Sequence, residues 1–138
     1  MARCILPLRF FLLLFALPAL AAPPKCPARF ADFLQRFETD AAFHVTAVRF
    51  PLPIGFVDDG VRHKGRLSKR EYTMPRQPWY PTLALQADWQ LKKTVREVSA
   101  TRRIVRFEQA DAEAYAVDFH FRNALGCWRL VFMDDHSS

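Results

Sequence analysis

Glycine and cysteine are both scarce in this chain of 138 residues, which contains four glycines and three cysteines. With so few glycines, the phosphate-binding loops of nucleotide-binding proteins are not expected, and the G-x-S-x-G and H-E-x-x-H motifs of hydrolases are absent. There is no C-x-x-C pair, and no histidine lies within a few residues of Cys26 or Cys127. The sequence therefore carries no signature of a particular reaction and predicts neither a cofactor nor a metal.

Long apolar runs are also missing beyond the amino terminus. Residues 10–17 read FFLLLFAL, with Arg3 and Arg9 before them and small residues up to Ala22 after them. This is the pattern of a cleaved secretory signal, and the run is far shorter than the roughly 20 residues of a membrane-spanning helix. We expect cleavage after Ala21 or Ala22, a signal peptide at residues 1–22, and an exported domain at residues 23–138, periplasmic or secreted, without a transmembrane segment.

The charge balance is only mildly basic. Loss of Arg3 and Arg9 with the signal would lower the formal net charge from +6 to +4. An excess of this size does not indicate nucleic-acid binding, and an exported protein rarely meets nucleic acid. We therefore expect no nucleic-acid partner.

The cysteines that remain after export form one pair. Cys4 leaves with the signal, so Cys26 and Cys127 stand near the two ends of the domain. In an oxidising compartment such a pair predicts a disulfide, here closing a loop for which chain entropy gives about 4–5 kcal/mol. Because Cys127 alternates out of phase with Trp128, the bridge must wrap the sheet edge, or the strand must begin irregularly.

Apolar periodicity predicts a helix at the start of the domain and strands after it. Phe30, Phe33, Leu34 and Phe37 follow the i, i+3, i+4, i+7 spacing of an amphipathic helix. Two runs near the end alternate with period two, which predicts an antiparallel hairpin across residues 123–126. The alternating residues are Tyr115, Val117, Phe119 and Phe121, then Trp128, Leu130 and Phe132.

Other segments are assigned less directly. Extended structure is expected at residues 45–52, 54–57, 82–85, 94–98 and 104–107, with a polar connection at residues 111–113. Ser68 can cap one helical turn at residues 69–72, and the stretch at residues 62–70 is expected to begin as a loop. A helix followed mainly by strands predicts a single α+β domain, in which the helix covers one face of an antiparallel sheet.

The order of these motifs resembles a known group of proteins. The helix motif is followed by Asp40-x-x-Phe43, by residues 48–53, by Trp79-Tyr80 and by the closing hairpin. This arrangement is similar to small secreted bacterial proteins of unknown function with the nuclear transport factor two-like, cystatin-like cone. The resemblance covers nearly all of the mature chain and implies an N-terminal helix packed on a bent antiparallel sheet. It implies little about activity, because this cone serves enzymes, carriers and inhibitors.

One polar set lies on a single strand face. Asp118, His120 and Arg122 alternate with apolar residues. They form either a polar triad lining the cavity of the cone, with His120 as acid and base, or the solvated outer face of a half-buried sheet. The second interpretation is favoured, because alternating strands always present such a face. The catalytic Asp–Tyr or His–Asp pairs of enzymes with this cone have no matching positions here.

A basic stretch and an aromatic pair are the candidate partner-binding residues. The basic residues can meet an anionic partner or form a solvated loop, and the aromatic residues can form a binding hot spot or fill the edge of the core. These candidates are Arg62, Lys64, Arg66, Lys69 and Arg70, together with Trp79 and Tyr80.

Three hypotheses about function follow. The first is an exported, non-enzymatic binding module that engages a protein partner in the periplasm, as an inhibitor or an immunity protein. The second is a small cavity enzyme, an isomerase or a hydrolyase, that uses His120 and Asp118. The third is an envelope-surface protein that binds anionic groups through its basic residues. The absence of a catalytic signature favours the first.

Overall fold

The computed structural model describes residues 26–75, 78–110 and 115–137. The expected signal peptide and the expected connection at residues 111–113 lie outside them. Within this part of the chain, no helix is long and apolar enough to cross a membrane. The helices are α1 (Phe30–Thr39), α2 (Ala41–Thr46), α3 (Lys69–Tyr72) and α4 (Leu83–Asp88), and the strands are β1 (Leu52–Asp58), β2 (Val61–Leu67), β3 (Leu91–Ser99), β4 (Arg102–Gln109), β5 (Ala116–Ala124) and β6 (Cys127–Asp135).

The strands form one six-stranded sheet in the order β2-β1-β6-β5-β4-β3. Three hairpins supply the antiparallel pairs β1–β2, β3–β4 and β5–β6, and β4 also pairs antiparallel with β5. The expectation of a wholly antiparallel sheet is wrong at one place, because β1 runs parallel to β6. Alternation identifies strands but not their neighbours, so the sequence pattern could not reveal this pair.

The core lies between α1 and one face of the sheet. Phe33, Leu34 and Phe37 are buried on α1, and the rings of Phe33 and Phe37 lie 5.7 Å and 5.3 Å from the ring of Phe121 on β5. The i, i+3, i+4 spacing brings these side chains onto one stripe, so the helix has a single apolar face to bury. Other buried members of this core include Leu52, Tyr72, Tyr80, Val105, Phe107, Phe119, Trp128, Leu130 and Met133.

A bulge in β6 changes which residues face that core. Phe121 pairs with Leu130, but the preceding residue His120 pairs with Phe132, so Val131 is an extra residue on β6. Trp128 and Leu130 face the core, and the next buried residue is Met133. The prediction that Phe132 continues the core stripe is therefore wrong: its ring lies 5.1 Å from that of His120 on the opposite face.

Two segments that were expected to be extended are helical at least in part. The carboxylate of Asp40 accepts a hydrogen bond from the Phe43 N–H at 2.9 Å, and α2 continues to Thr46. The hydroxyl of Thr82 accepts one from the Leu85 N–H at 3.2 Å, so a helix replaces the strand expected at residues 82–85. These caps satisfy free amide groups at the helix starts.

The segment at residues 62–72 combines one wrong prediction with one confirmed prediction. β2 occupies most of the stretch that was expected to begin as a loop. Ser68 caps α3 as predicted, and the Glu71 side chain accepts a hydrogen bond from the Ser68 N–H at 2.8 Å, which completes a capping box.

The predicted disulfide between Cys26 and Cys127 is present, with a Cα–Cα distance of 5.2 Å. The segment before α1 lies beside the start of β6, because the Trp128 indole N–H donates to the Ala28 carbonyl at 3.4 Å. The ring of Phe30 lies 4.9 Å from that of Trp128. Trp128 thus faces the helix, while Cys127, the first residue of β6, is bonded to Cys26 in the segment before α1.

Candidate functional site

One concavity of the described chain, here called the inner groove, consists of two adjoining pockets that share Met74, Pro78, Trp79 and Pro81. Their volumes are about 500 and 350 Å³. The larger pocket is also lined by Phe37, Glu38, His44, Tyr72 and Tyr80, and the smaller one by Leu85, Trp89, Tyr115, Val117 and Met133.

The histidine in the wall of the inner groove has both ring nitrogens engaged. The Nδ1–H of His44 donates to the Phe37 carbonyl at 2.9 Å, and Nε2 accepts from the Tyr72 hydroxyl at 2.7 Å. The ring also stacks on Phe37 at 3.9 Å. Burial lowers the pKa of His44 and raises the pKa of Tyr72, so both groups are neutral at pH 7. Neither nitrogen of His44 is left to take a proton from a ligand.

The carboxylate in the same pocket is equally occupied. Glu38 is bound by the Lys93 ammonium at 3.0 and 2.9 Å and accepts a hydrogen bond from the Tyr80 hydroxyl at 2.8 Å. The Glu38 side chain is 6% exposed and that of Lys93 is 32% exposed, so the carboxylate is largely removed from water while the ammonium is partly solvated. Burial, and then the charge of Glu38, raise the pKa of Tyr80. Glu38, His44, Tyr72 and Tyr80 in the larger pocket are thus bonded to other groups of the protein, whereas the smaller pocket is also lined by the carboxyl side chains of Glu71 and Asp135.

The rim of the inner groove is apolar and open. Met74 is 48% exposed and Trp79 is 37% exposed. The Trp79 indole N–H donates to the Glu71 carbonyl at 3.3 Å, a contact that orients the ring. A rim of methionine, tryptophan and proline beside internally paired polar groups is suited to holding an apolar group by contact rather than to transforming it.

The structure places Asp118, His120 and Arg122 away from the inner groove. Phe119 and Phe121 on β5 face the core, so the residues that alternate with them lie on the other face, here called the outer face of the sheet. Asp118 is held in a two-point ion pair by Arg106, at 2.7 and 3.0 Å. All three residues thus lie on the outer face, where His120 and Arg122 also line a pocket of about 440 Å³.

His120 lies beside Phe132 on the outer face. Its Nε2 is buried and has no hydrogen-bond partner among the described residues. Desolvation lowers the pKa of His120, which keeps the ring neutral at pH 7. Within the same described ranges, no group of three or more His, Cys, Asp or Glu side chains is placed to hold a metal ion.

The predicted partner-binding residues are divided among three places. Arg62, Lys64 and Arg66 are exposed on β2, an edge strand of the sheet, and Arg62 forms an ion pair with Asp134. Lys69 and Arg70 belong to the exposed side of α3. Trp79 stands on the rim of the inner groove, whereas Tyr80 is 4% exposed and belongs to the core.

Sequence reasoning missed Glu38, His44 and Tyr72 as lining residues of one pocket, and Lys93 as the ion-pair partner of Glu38. The bonded partners lie 28 residues apart for His44 and Tyr72 and 55 apart for Glu38 and Lys93. No local pattern connects residues at such separations. Only the approach of the separate elements in the fold reveals these pairs.

Three solved structures of bacterial proteins are similar to this chain. An NTF2-like protein from Bacteroides fragilis aligns with a TM-score of 0.58 and 18% identity over 79% of this chain and 47% of that chain. A cystatin-like protein from Bacteroides caccae has a TM-score of 0.47 and 18% identity over 76% and 74% of the two chains. An NTF2-like protein of unknown function from Shewanella baltica has a TM-score of 0.45 and 15% identity over 79% and 87%.

The first likeness shows the fold, which is NTF2-like, and confirms the expectation drawn from the resemblance. This chain spans about half the length of the Bacteroides fragilis protein. No protein-family profile matches the chain, and no curated protein matches it. The comparisons therefore establish the architecture, and function has to be argued from the geometry of the site.

Proposed function

We propose that this protein is an exported, non-enzymatic binding module whose inner groove takes an apolar side chain of a protein partner. The observation that carries the proposal is the contrast between the two parts of the groove. Glu38 and His44 are fully engaged by protein groups, whereas Met74 and Trp79 on the rim are exposed. Catalysis requires a group free to move a proton or attack a substrate, whereas an apolar rim needs only a complementary surface.

A protein partner suits the rim better than a small polar substrate does. Tryptophan is enriched among the residues that dominate binding energy at protein interfaces, and methionine adapts to irregular apolar surfaces. Because the Trp79 ring is already hydrogen-bonded to Glu71, binding costs little side-chain entropy. In the periplasm, such a module would act as an inhibitor or an immunity protein.

Two observations support export. The amino-terminal residues have the charge and apolar pattern of a secretory signal. The Cys26–Cys127 bridge is of a kind that persists in oxidising compartments and is rare in the cytosol. Both features favour a partner that is itself located in the envelope or outside the cell.

The alternative, an isomerase or hydrolyase that uses His120 and Asp118, has less support. Arg106 engages both carboxylate oxygens of Asp118, and this pair would have to open before the carboxylate could act on a substrate. The binding-module proposal therefore expects His120→Ala to leave partner binding unchanged.

Site-specific photo-crosslinking in living cells tests the proposal. A photoreactive amino acid at Met74 is expected to give one covalent adduct with an envelope protein. The matched control is Val61, another exposed apolar residue, at the start of β2; it is expected to give no such adduct. Trp79→Ala should reduce the Met74 adduct and weaken binding of the identified partner by about 30-fold, as for an interface hot spot. The same adducts at both positions, or none at Met74, would contradict the proposal.

A further inference from the structure

One end of the outer face carries a row of three arginines. Arg102 lies directly opposite Arg122, and Arg122 lies directly opposite Arg129, on the adjacent strands β4, β5 and β6. Like charges at such positions repel each other and destabilise a sheet. Among the described residues, none of the three forms an ion pair; Glu97, near this end of β3, is bound to Arg103 at 3.2 Å. The fold therefore tolerates a repulsion that an anionic partner would relieve.

The outer face as a whole also carries an excess of positive charge. Among the residues that the structure describes, its acids are Glu108, Asp118 and Asp134, and each is paired with a basic residue of that face. The basic residues assigned to this face by register and alternation are Arg49, Arg62, Lys64, Arg66, Lys92, Arg96, Arg102, Arg106, Arg122 and Arg129. This excess gives a field that attracts an extended anionic surface.

The turn beside the arginine row exposes a strained apolar side chain. Leu125 is 105% exposed and has a φ of 55°, and Gly126 follows with a φ of 81°. Two positive φ values in a two-residue hairpin loop favour Asn, Asp or Gly at the first position, not leucine. The neighbouring β3–β4 turn is joined to this end because the Asn123 N–H donates to the Thr101 carbonyl at 2.9 Å.

A pocket of about 440 Å³ opens next to the row. Arg49, Arg102 and Arg122 line it together with Val98, Val131 and Phe132. Guanidinium groups bind phosphate oxygens through paired hydrogen bonds. The pocket therefore combines donors for a phosphate group with apolar surface for the atoms attached to it.

We propose that this end of the sheet docks on an anionic phospholipid membrane, with Leu125 entering the acyl boundary and the arginines binding lipid phosphates. We call it the arginine tip, defined by Arg49, Arg102, Arg122, Leu125 and Arg129. An exposed apolar residue ringed by basic ones is the combination that holds proteins at anionic bilayer surfaces.

The inner groove would remain accessible in this orientation. It is lined by Tyr115 and Val117 at the start of β5, whereas the arginine tip lies at the end of that strand. The groove is also on the other face of the sheet. Membrane docking thus goes beyond the binding function proposed above, and either can fail without the other.

Vesicle co-sedimentation of the disulfide-bonded protein is the test. We expect binding to vesicles of 30% phosphatidylglycerol in phosphatidylcholine, and none to phosphatidylcholine alone. A basic residue at an anionic surface contributes about fivefold, so Arg102→Gln with Arg122→Gln should weaken binding by about 25-fold. The matched control, Lys69→Gln with Arg70→Gln, removes the same charge from the exposed side of α3, a helix whose Tyr72 packs into the core and which is not part of the outer face, and should change binding less than about threefold.

A second variant separates the apolar contact from charge. Leu125→Asn suits the left-handed turn, so the melting temperature should not fall while vesicle binding weakens at least about fivefold. Inorganic phosphate at matched ionic strength should not compete with the vesicles, because a free phosphate ion offers no apolar surface for Leu125 to enter. Equal losses in both charge variants, unchanged binding by Leu125→Asn, or full competition by phosphate would each overturn the proposal.

Discussion

At the scale of single residues, the ion pair between Lys93 and Glu38 is the polar contact on which the inner groove most depends. Glu38 is nearly buried and receives hydrogen bonds from both Lys93 and Tyr80. We expect Lys93→Met to lower the free energy of unfolding by about 1–3 kcal/mol, because it leaves a desolvated carboxylate without its counter-charge. Urea denaturation followed by circular dichroism measures this change.

The adjacent lysine supplies the control. Lys92 lies on the opposite face of β3, where its ammonium is 3.8 Å from Glu108 and its side chain is 67% exposed. Lys92→Met should therefore change the free energy of unfolding by less than about 0.5 kcal/mol. Equal effects of the two substitutions would show that the Glu38 pair has no special role.

The buried histidines predict a pH dependence of stability. Desolvation lowers the pKa of His44 and of His120 below their ordinary value of 6.5. The unfolded chain then binds protons more readily than the folded chain does. The contribution of these histidines to the free energy of unfolding is therefore fully present above about pH 6.5 and is lost as the pH falls through the lowered pKa values. We expect His120→Gln to flatten this loss, measured as the free energy of unfolding between pH 7.5 and about pH 5. An unchanged slope would contradict the assignment of His120 as a neutral, desolvated ring. The charged and titratable groups that act on His120 are Asp118, Asp134, Arg96 and His136.

At the scale of elements, α3 shows how a short helix positions the site. Its capping box joins Ser68 and Glu71, and its last residue, Tyr72, donates to His44. We expect Ser68→Ala to cost about 1 kcal/mol in thermal unfolding, because a free amide loses its cap. Lys69→Ala, on the exposed side of the same turn, should cost less than about 0.5 kcal/mol. A neutral result for Ser68→Ala would mean that tertiary packing alone holds α3.

The sequence predicted the elements that have a strong period and missed those set by individual hydrogen bonds. The β5–β6 strands agree with the alternating patterns, since half-buried strands alternate, and β3 and β4 contain the extended segments expected at residues 94–98 and 104–107. The strand expected at residues 82–85 is α4, because the Thr82 cap outweighs the weak β preference of the segment. Phe132 does not face the core with Trp128 and Leu130, because one extra residue in β6 reverses the alternation.

The candidate site was less predictable than the fold. Trp79 was a candidate partner-binding residue, with filling of the core edge as the alternative; it lies on the rim and is 37% exposed. The paired groups behind it come from α1, α2, α3 and β3, and no local rule relates those elements. The arginine row was equally hidden, because strand register alone brings Arg102, Arg122 and Arg129 together.

At the scale of the whole molecule, the disulfide ties the chain before α1 to the last strand. It connects residues separated by 101 positions. Replacing both Cys26 and Cys127 by alanine should lower the free energy of unfolding by up to about 4–5 kcal/mol, because the unfolded chain regains its loop entropy. Guanidinium denaturation of the variant and the oxidised protein measures the difference. A loss below about 1 kcal/mol would show that the bridge does not constrain the unfolded chain.

Both proposals require that the protein works outside the cytosol as a disulfide-closed domain. The most direct measurement is the intact mass of the protein recovered from the cell envelope, with and without alkylation of thiols. The account predicts a chain that begins at Ala22 or Pro23, with Cys26 and Cys127 alkylated only after reduction. A chain that retains residues 1–22, with all its cysteines alkylated before reduction, would contradict it.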